Sequence, residues 1–256
     1  GLPTFAWLVI IAFGVNIVLF VPSFIGKTEH YFDLTGSLTY LTVTLVALAT
    51  TTDRDLRTVL LVAMIVLWAA RLGSFLFRRV TRDGGDGRFD KIKLDALRFS
   101  MAWMLQALWV TLTAGAALAA MTSGAKADLG PVGIIGLVVW LIGFAIEVTA
   151  DRQKSAFRAD PANRGRFIDI GLWAWSRHPN YFGEITLWLG VAIVAAPVLQ
   201  GWQHATLISP VFVFVLLNFV SGVPMLERRS DREWGGQDAY EAYKAKTRVL
   251  MLRPPR

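Results

Sequence analysis

Seven apolar runs dominate this sequence, and each is close to the roughly 20 residues that a helix needs to cross a bilayer. Such runs constrain the fold strongly, because a backbone in lipid must satisfy its hydrogen bonds within its own helix. The second run is rich in threonine and Pro197 interrupts the sixth, so six spans remain an alternative. The sequence predicts an all-α, multi-pass integral membrane protein that forms a single domain over residues 1–256. The seven runs cover residues 4–25, 36–52, 57–77, 97–121, 130–150, 183–200 and 205–225.

Basic residues are concentrated in alternate loops, which predicts the orientation of the helices. Most of the 26 Lys and Arg residues lie in the loops 26–35, 78–96 and 151–182 and in the segment after residue 226. The opposite loops hold only Arg54, Arg57 and Lys126. Under the positive-inside rule, the N-terminus is outside and the C-terminus is cytoplasmic. The basic loops and the C-terminal tail would then form a cap over the cytoplasmic ends of the helices.

The net charge of +7 is open to two interpretations. It fits contact with anionic lipid headgroups, and it fits binding of a phosphorylated ligand. The tail after Glu227 can likewise be an amphipathic helix at the membrane surface. The chain has no cysteine, which excludes disulfides, thiolate metal sites and cysteine nucleophiles. Its three histidines, at positions 30, 178 and 204, are too scattered for a metal site, so no metal ion is expected.

Polar side chains inside apolar runs point to function, because a charge in lipid is costly. Arg71 lies deep in the third run. Glu147 and Asp151 are four residues apart at the end of the fifth run, so they share one helix face. Three amides lie within other runs, where an interhelical hydrogen bond is favoured over a ligand contact. These amides are Asn16, Gln106 and Asn218.

The stretch SRHPNYFGE, residues 176–184, places several polar groups immediately before the sixth apolar run. In a helix that begins at Pro179, three side chains project from one face. These are Asn180, Tyr181 and Glu184. Arg177 and His178 precede the helix, where free backbone N–H groups and the helix dipole favour an anion. The stretch predicts a site for a ligand with a phosphate or carboxylate and an amide or amine. A helix cap with a Glu–Arg pair is the alternative.

The longer stretch GLWAWSRHPNYFGEITLW, with the downstream residues Tyr240, Tyr243 and Thr247, resembles a superfamily of small integral-membrane enzymes. The superfamily includes steroid 5α-reductases and their bacterial relatives, sterol double-bond reductases and isoprenylcysteine carboxyl methyltransferases. Segments 33–40, 67–79, 147–158 and 166–180 are similar to the 5α-reductase branch. The resemblance implies a bacterial inner-membrane enzyme. It also implies NADPH-dependent reduction of the carbon–carbon double bond of a 3-oxo-Δ4 steroid or similar lipophilic enone.

The resemblance also implies site residues. Matched residue by residue, it implies cofactor contacts at Arg71, Asp151, Arg158, Arg166, Asn180 and Glu184. Neighbouring residues of suitable chemistry complete the candidate cofactor set: Glu147, Arg177, His178, Tyr181, Arg228 and Tyr240. In the family an acidic residue and a third-span tyrosine bind the substrate carbonyl. Here Trp68 stands at the tyrosine position, and the acid is Asp33, with Glu29 or Asp53 as alternatives. Tyr31 and Tyr40 are the candidate hydroxyl donors.

The chemistry of the residues agrees with a reductase. The arginines on the predicted cytoplasmic face could bind the phosphates of NADPH, and no Gly-x-Gly-x-x-Gly motif indicates a doubly wound dinucleotide fold. Hydride transfer to the β-carbon needs a donor on the carbonyl oxygen. Two other functions remain open: an S-adenosylmethionine-dependent methyltransferase acting on a lipid-like substrate, and a non-catalytic lipid- or sterol-binding protein. The expected partners are the lipid bilayer and a lipophilic substrate that enters from it. No nucleic-acid partner is expected. The oligomeric state stays open, and a monomer is compatible with the sequence.

Overall fold

The chain folds into helices. The computed structural model describes residues 3–87 and 89–254, apart from the side chain at position 83, and within these residues it contains no strand. Arg88, in the predicted 78–96 loop, lies outside the described residues. Seven stretches of these described residues are long and apolar enough to cross a membrane, which confirms the predicted all-α class and favours seven spans over six. The α-helices of the described residues are α1 Thr4–Ile25, α2 Phe32–Thr50, α3 Leu56–Asp83, α4 Ala96–Met121, α5 Gly130–Ala159, α6 Pro179–Ala195, α7 Ser209–Val215, α8 Val223–Trp234 and α9 Asp238–Lys246.

Capping residues determine several helix ends. At the start of α3, the Asp55 carboxylate accepts a hydrogen bond from the backbone N–H of Thr58 at 2.8 Å. At the start of α4, the Asp95 carboxylate accepts a hydrogen bond from the backbone N–H of Arg98 at 3.1 Å. Gly84 caps the C-terminal end of α3, and its φ of 78° lies in the left-handed region that glycine adopts without strain. These local signals define helix ends that hydropathy alone does not locate.

Helices α2, α3, α5 and α6 extend beyond the apolar runs that predicted them, and the last two bear on the candidate site. The fifth run was expected to end at residue 150, but α5 continues to Ala159. The sixth run was expected from residue 183, but α6 begins at Pro179, the start assumed for the shared face of Asn180, Tyr181 and Glu184. A hydropathy run marks only the part of a helix that is apolar enough for lipid, so polar helical turns at either end are missed.

The seventh apolar stretch is longer and less regular than predicted. The run predicted at 205–225 is part of a helical stretch over Gly201–Trp234. It starts as a 3₁₀-helix over Gly201–Ile208, continues through α7, and passes through a π-helix over Leu216–Val220 before α8. Asn218, one of the three predicted interhelical amides, lies in this π-helix. Single turns of π-helix occur frequently at functional sites.

The chain divides into two compact units. Unit 1 contains the described residues of Gly1–Ile134 and Val191–Ser209, and unit 2 contains those of Ile135–Gly190 and Pro210–Arg256. The predicted single domain over residues 1–256 stays a prediction.

Helices α1 to α4 form the core of unit 1. Helix α1 packs on α2 and α4, and α2 packs on α3. The Asn16 amide donates a hydrogen bond from α1 to Thr39 Oγ1 on α2 at 3.2 Å. The Gln106 amide on α4 donates to the backbone carbonyl of Phe32 at 3.0 Å. The predicted interhelical hydrogen bonds are therefore confirmed for these two amides.

In unit 2, helices α5 and α6 cross through glycines. A Cβ atom on Gly190 would lie 2.5 Å from the backbone nitrogen of Trp140 and 2.7 Å from the carbonyl oxygen of Gly136. Seven residues earlier, a Cβ atom on Gly183 would lie 2.7 Å from the backbone nitrogen of Glu147. Real Cβ atoms do not approach backbone atoms this closely. Glycine therefore allows the two helix backbones to touch, as small residues do in other membrane helix pairs.

The residues after α5 and the C-terminal end of the chain pack on each other in unit 2. The buried Trp173 donates from Nε1 to the carbonyl of Ala150 at 3.0 Å, and the Tyr243 hydroxyl donates to the carbonyl of Trp173 at 2.8 Å. Phe167 contacts the rings of Tyr240 and Tyr243. The aromatic residues of α9 are thus buried in protein, which differs from the alternative of an amphipathic helix lying on the membrane.

The C-terminal segment returns to the SRHPNYFGE stretch. The backbone N–H of Arg177 donates to the carbonyl of Arg248 at 2.8 Å, and the N–H of Arg253 donates to the carbonyl of Trp175 at 3.1 Å. The buried Ser176 hydroxyl donates to the carbonyl of Leu250 at 2.9 Å. The end of the chain therefore holds the backbone that enters α6.

Candidate active site

The α5–α6 crossing brings two buried acids to the start of α6. Pro179 occupies the first helical position of α6, where its missing N–H leaves no hydrogen bond unmade. Asn180 donates from Nδ2 to Asp151 Oδ1 on α5 at 3.3 Å. Asp151 and Glu147 are both buried, and the backbone of Gly183 passes directly against Glu147. The structure thus places Glu147, Asp151 and Asn180 next to one another, as candidate residues of one site.

Glu227 on α8 joins the two residues that precede α6. Its Oε2 atom lies 3.1 Å from Arg177 Nη2, and its Oε1 atom lies 2.8 Å from His178 Nε2. The His178 ring stacks on Tyr181 with a centroid distance of 5.6 Å and an interplanar angle of 11°. Glu184 follows Tyr181 by one helical turn and is half-buried. Arginine, histidine and tyrosine of the motif are therefore fixed by contacts within unit 2.

Three polar atoms of this segment are buried and have no hydrogen-bond partner among the described residues. They are Arg177 Nε, His178 Nδ1 and Asn180 Oδ1. A buried polar group without a partner costs about 1–3 kcal/mol, so proteins rarely leave three in four consecutive residues. A bound ligand or ordered water would supply partners for these three atoms.

The pKa of His178 predicts how stability depends on pH. Burial lowers this pKa below its ordinary value, the Glu227 carboxylate opposes the shift, and the positive charges of Lys154 and Arg177 add to it. As the pH falls, His178 in the unfolded chain therefore gains a proton near its ordinary pKa of about 6.5, at a higher pH than His178 in the folded chain. The stability that neutral His178 contributes is complete above that pH and is lost as the pH falls through the lower folded pKa.

Melting temperatures in detergent test this dependence between about pH 7.5 and about pH 5.5. We expect the melting temperature to fall toward acidic pH, and we expect a shallower fall in a His178→Gln variant. A His204→Gln variant is the control, because His204 is exposed in unit 1. It should keep the wild-type slope. The same slope in His178→Gln as in the wild type would show that His178 does not control this dependence.

Other predicted cofactor residues lie on the surface of unit 2. The side chains of Arg158, Arg166 and Arg228 are exposed. Tyr240 is buried and donates from its hydroxyl to Asp231 Oδ1 at 3.1 Å. Burial and this hydrogen bond raise the pKa of Tyr240 to about 12, so it is a neutral donor at physiological pH. The predicted basic residues are therefore accessible, whereas Tyr240 is part of the packed α8–α9 region.

The candidate catalytic residues all lie in unit 1. Asp33 is in the first turn of α2 and pairs with Arg79 at 3.4 Å. Tyr40 is buried on α2, and its ring packs edge-on against Trp68 of α3 with a centroid distance of 4.9 Å. Tyr31 precedes α2 and is 52% exposed. Unit 1 thus brings Tyr40 and Trp68 together and leaves Tyr31 at the surface.

Arg71 also lies in unit 1, whereas the other predicted cofactor residues belong to unit 2. It is half-buried on α3, with its guanidinium carbon 5.2 Å from the centre of the Phe75 ring. At this distance the Arg71 guanidinium and the Phe75 ring form a cation–π contact. The role of Arg71 in cofactor binding stays a prediction.

The two alternative acids have different environments. Glu29 is buried and accepts hydrogen bonds from Lys93 Nζ at 2.8 Å and from the backbone N–H of Asp86 at 3.0 Å. Burial opposes ionisation of Glu29, but these hydrogen bonds outweigh it and hold its pKa below the ordinary value. Asp53 follows the opposite end of α2 and lines a cleft of about 290 Å³. Because a helix rises about 1.5 Å per residue, Asp53 and Asp33 are about 30 Å apart and cannot serve one site.

Several residues of the site were not anticipated from the sequence. Glu227 is the first charge after the seventh apolar run, but its partner His178 lies 49 residues earlier, and no local pattern indicates that pairing. Lys154 places its ammonium 4.3 Å from the centre of the Trp173 ring. Lys154 follows Asp151 by three residues on α5, so its position on the same helix face was the available signal.

Comparison with known proteins places the chain in a family. The profile of a family described as "Protein of unknown function (DUF1295)" matches residues 19–247. The chain belongs to this family. The match includes most residues of both units and the whole SRHPNYFGE stretch. The resemblance to the steroid 5α-reductase superfamily that this stretch predicted is confirmed, because the DUF1295 family is steroid 5α-reductase-like.

Curated relatives connect this DUF1295 protein with two kinds of enzyme. A steroid 5-alpha-reductase of Arabidopsis thaliana is 39% identical over 64 residues, which cover 24% of this chain and 23% of the relative. A 3-oxo-5-alpha-steroid 4-dehydrogenase of Bos taurus is 31% identical over 84 residues, covering 33% of this chain and 30% of the relative. A probable O-methyltransferase of Ustilaginoidea virens is 26% identical over 95 residues, covering 37% of this chain and 33% of the relative.

These similarities are partial. The chain spans between about a quarter and about half of the length of the curated relatives that it matches. No solved structure matches the chain. The two steroid reductases support a reductase-type function in the DUF1295 family, and the seven apolar helices support an integral membrane protein.

Proposed function

We propose that this protein reduces the carbon–carbon double bond of a 3-oxo-Δ4 steroid or a similar lipophilic enone, with NADPH as its cofactor. The observation that carries the proposal is the set of three buried polar atoms without described partners in residues 177–180. They lie at the start of α6, where Asn180 donates to the buried Asp151 of α5, in the stretch that resembles the reductases. Similarity to two curated steroid reductases supports hydride transfer as the reaction.

The residues of unit 2 fit a phosphorylated dinucleotide. The exposed guanidinium groups of Arg158, Arg166 and Arg228 are suited to phosphates, because arginine donates paired hydrogen bonds to phosphate oxygens. The Asn180 carbonyl oxygen, by contrast, offers an acceptor to an amide or a hydroxyl. When bound, NADPH supplies a hydride for the β-carbon of the enone. Unit 2 would contribute binding and orientation.

The carbonyl oxygen of the substrate needs a hydrogen-bond donor while negative charge develops on it. Asp33, paired with Arg79, is suited to accept hydrogen bonds, because an ionised carboxylate has no hydrogen to donate. Tyr31 is exposed, so water weakens its electrostatic effect. Tyr40 is buried and carries a hydroxyl hydrogen. We therefore propose that the Tyr40 hydroxyl donates to the carbonyl oxygen of the substrate. Trp68 packs against the Tyr40 ring and holds it in place.

The location follows from the charge distribution. We propose that the N-terminus is outside and that the basic loops and C-terminal tail face the cytoplasm of a bacterial cell, where NADPH is available. The helices expose many large apolar side chains, including Val18 on α1 and Ile135 on α5. These surfaces are suited to contact with lipid, from which a lipophilic substrate would enter.

A second candidate function is S-adenosylmethionine-dependent methyl transfer. The similarity to a probable O-methyltransferase favours it, and the Arg-His-Pro core is shared with the methyltransferases that the sequence resembles. A cofactor without phosphates would make little use of the exposed arginines of unit 2. Cofactor binding therefore distinguishes the two proposals.

Ligand-dependent melting of the purified protein in detergent tests the cofactor. A ligand that binds the folded state raises the melting temperature according to its affinity. We expect a larger increase with NADPH than with NADH, because arginines would engage the 2′-phosphate, and no increase with S-adenosylmethionine. Incubation with NADPH and a 3-oxo-Δ4 steroid should then give a product heavier by two hydrogens. Stabilisation by S-adenosylmethionine, together with an unchanged steroid mass, would reverse the choice in favour of the methyltransferase.

A further inference from the structure

Glu227 holds the His178 ring from α8, and Tyr181 holds it from α6. The imidazole is buried, hydrogen-bonded at Nε2 and stacked on the Tyr181 ring. Tyr181 in turn is packed against Gly222, where an added Cβ atom would lie 2.9 Å from the tyrosine ring. Gly222 immediately precedes α8, the helix that carries Glu227. The plane and the position of the imidazole are therefore fixed, and the remaining variable is which ring nitrogen carries the hydrogen.

The hydrogen bond to Glu227 determines which ring nitrogen of His178 carries the hydrogen. A carboxylate that pairs with arginine can only accept, so the hydrogen of the His178–Glu227 bond belongs to His178 Nε2. In a neutral imidazole the other nitrogen is then an acceptor. His178 Nδ1 is buried and has no partner among the described residues. Two residues later, Asn180 donates through Nδ2 to Asp151, which leaves its buried Oδ1 atom as a second acceptor.

We propose that Glu227 is a positioning residue that fixes His178 in the Nε2–H tautomer, so that His178 Nδ1 and Asn180 Oδ1 both act as acceptors toward the bound ligand. The part of the ligand that contacts these two atoms must then carry N–H or O–H groups, as a carboxamide or a ribose does. Phosphates, which only accept, bind elsewhere. This inference rests on the proposed function and specifies which end of the cofactor the α6 segment recognises.

A Glu227→Gln substitution changes the tautomer while keeping both hydrogen bonds. Arg177 can only donate, so it takes the single carbonyl oxygen of the glutamine. The glutamine NH₂ group then faces His178 Nε2 and must donate to it. His178 is forced into the Nδ1–H form, and the acceptor that faced the ligand becomes a donor. A Glu227→Asp variant keeps a carboxylate and should keep the wild-type tautomer.

Nitrogen-15 NMR of histidine-labelled protein in detergent, without cofactor, reads the tautomer directly. The chain contains three histidines, and the spectrum of a His178→Gln variant assigns the signals of His178. We expect protonated Nε2 and unprotonated Nδ1 in the wild type, and the reverse in Glu227→Gln. We also expect NADPH to bind about tenfold more weakly to Glu227→Gln, as for the loss of one buried hydrogen bond. Glu233→Gln is the matched control, because Glu233 is exposed on the same helix.

The outcomes separate this inference from the proposed function. A wild-type spectrum with hydrogen on His178 Nδ1 would overturn the inference, and so would an unchanged tautomer in a folded Glu227→Gln protein. Equal NADPH affinity in the two proteins after a tautomer reversal would also overturn it. If the wild type binds no NADPH, the proposed function fails, and the same comparison with S-adenosylmethionine decides whether the tautomer governs ligand binding.

Discussion

A Gly190→Ala substitution should lower the melting temperature of the protein in detergent by about 5–10 °C. The added Cβ atom would lie 2.5 Å from the backbone nitrogen of Trp140 and 2.7 Å from the carbonyl oxygen of Gly136. Both are backbone atoms of α5, so no side-chain rotation can relieve the contact. The helices must move apart, and the buried contacts on both sides of the crossing weaken. Thermal melting of the purified variant measures the loss.

The matched control is Gly14→Ala. Gly14 also lies inside a membrane-spanning helix, α1, but outside its own helical turns no atom lies within 4 Å of the position that its Cβ would take. Alanine is favoured over glycine within a helix, so this variant should melt at the wild-type temperature or slightly above it. If Gly190→Ala melts like Gly14→Ala, the close approach of α5 and α6 does not support the stability of unit 2.

The same crossing connects stability with the candidate site. A Cβ atom on Gly183 would lie 2.7 Å from the backbone nitrogen of Glu147, one helical turn from Asp151. Gly183→Ala should therefore weaken cofactor binding as well as lowering the melting temperature. Gly190 is seven residues further along α6, so the folded fraction of Gly190→Ala should bind cofactor with nearly wild-type affinity. Equal affinity losses in the two variants would show that the acids of α5 are not positioned by this contact.

Local features of the sequence predicted most of the helices and the start of the site. Apolar length predicted α1 from residue 4 to residue 25, and α6 begins at Pro179, the first helical position that was assumed for the SRHPNYFGE stretch. Asn16 and Gln106 form the expected interhelical hydrogen bonds. These predictions succeed because every backbone segment in lipid must form its hydrogen bonds internally. An isolated polar side chain in such a segment also has few possible hydrogen-bond partners.

Features that depend on distant parts of the chain were not predicted. Glu227 interacts with His178 across 49 residues, and the carbonyl of Leu250 accepts a hydrogen bond from Ser176 across 74 residues. Gly183 and Gly190 could be read as ordinary small residues until their partners on α5 are known. The contacts that complete the site are tertiary, so no periodicity or local motif encodes them.

A Tyr40→Phe substitution should lower the turnover number for an enone by about 10²–10³-fold while leaving NADPH affinity unchanged. Losses of that size follow removal of one donor that stabilises a developing oxyanion. Phenylalanine keeps the ring against Trp68 and removes only the hydroxyl, so the packing of α2 on α3 should persist. Tyr40 is proposed to contact the substrate carbonyl and is not among the proposed cofactor residues. Steady-state kinetics and NADPH-dependent melting, measured on the same preparation, separate the two effects.

Tyr31→Phe is the control, because it removes the same hydroxyl from a residue that is 52% exposed, nine residues before Tyr40 on the sequence. Its turnover should stay close to that of the wild type, since water already screens that hydroxyl. Asp33→Asn provides a further comparison. It breaks the pair with Arg79 but leaves the Tyr40 hydroxyl in place, so its loss should be smaller than that of Tyr40→Phe. A larger loss in Asp33→Asn than in Tyr40→Phe would overturn the assignment of the carbonyl donor to Tyr40, because removal of the donor itself should cause the largest loss.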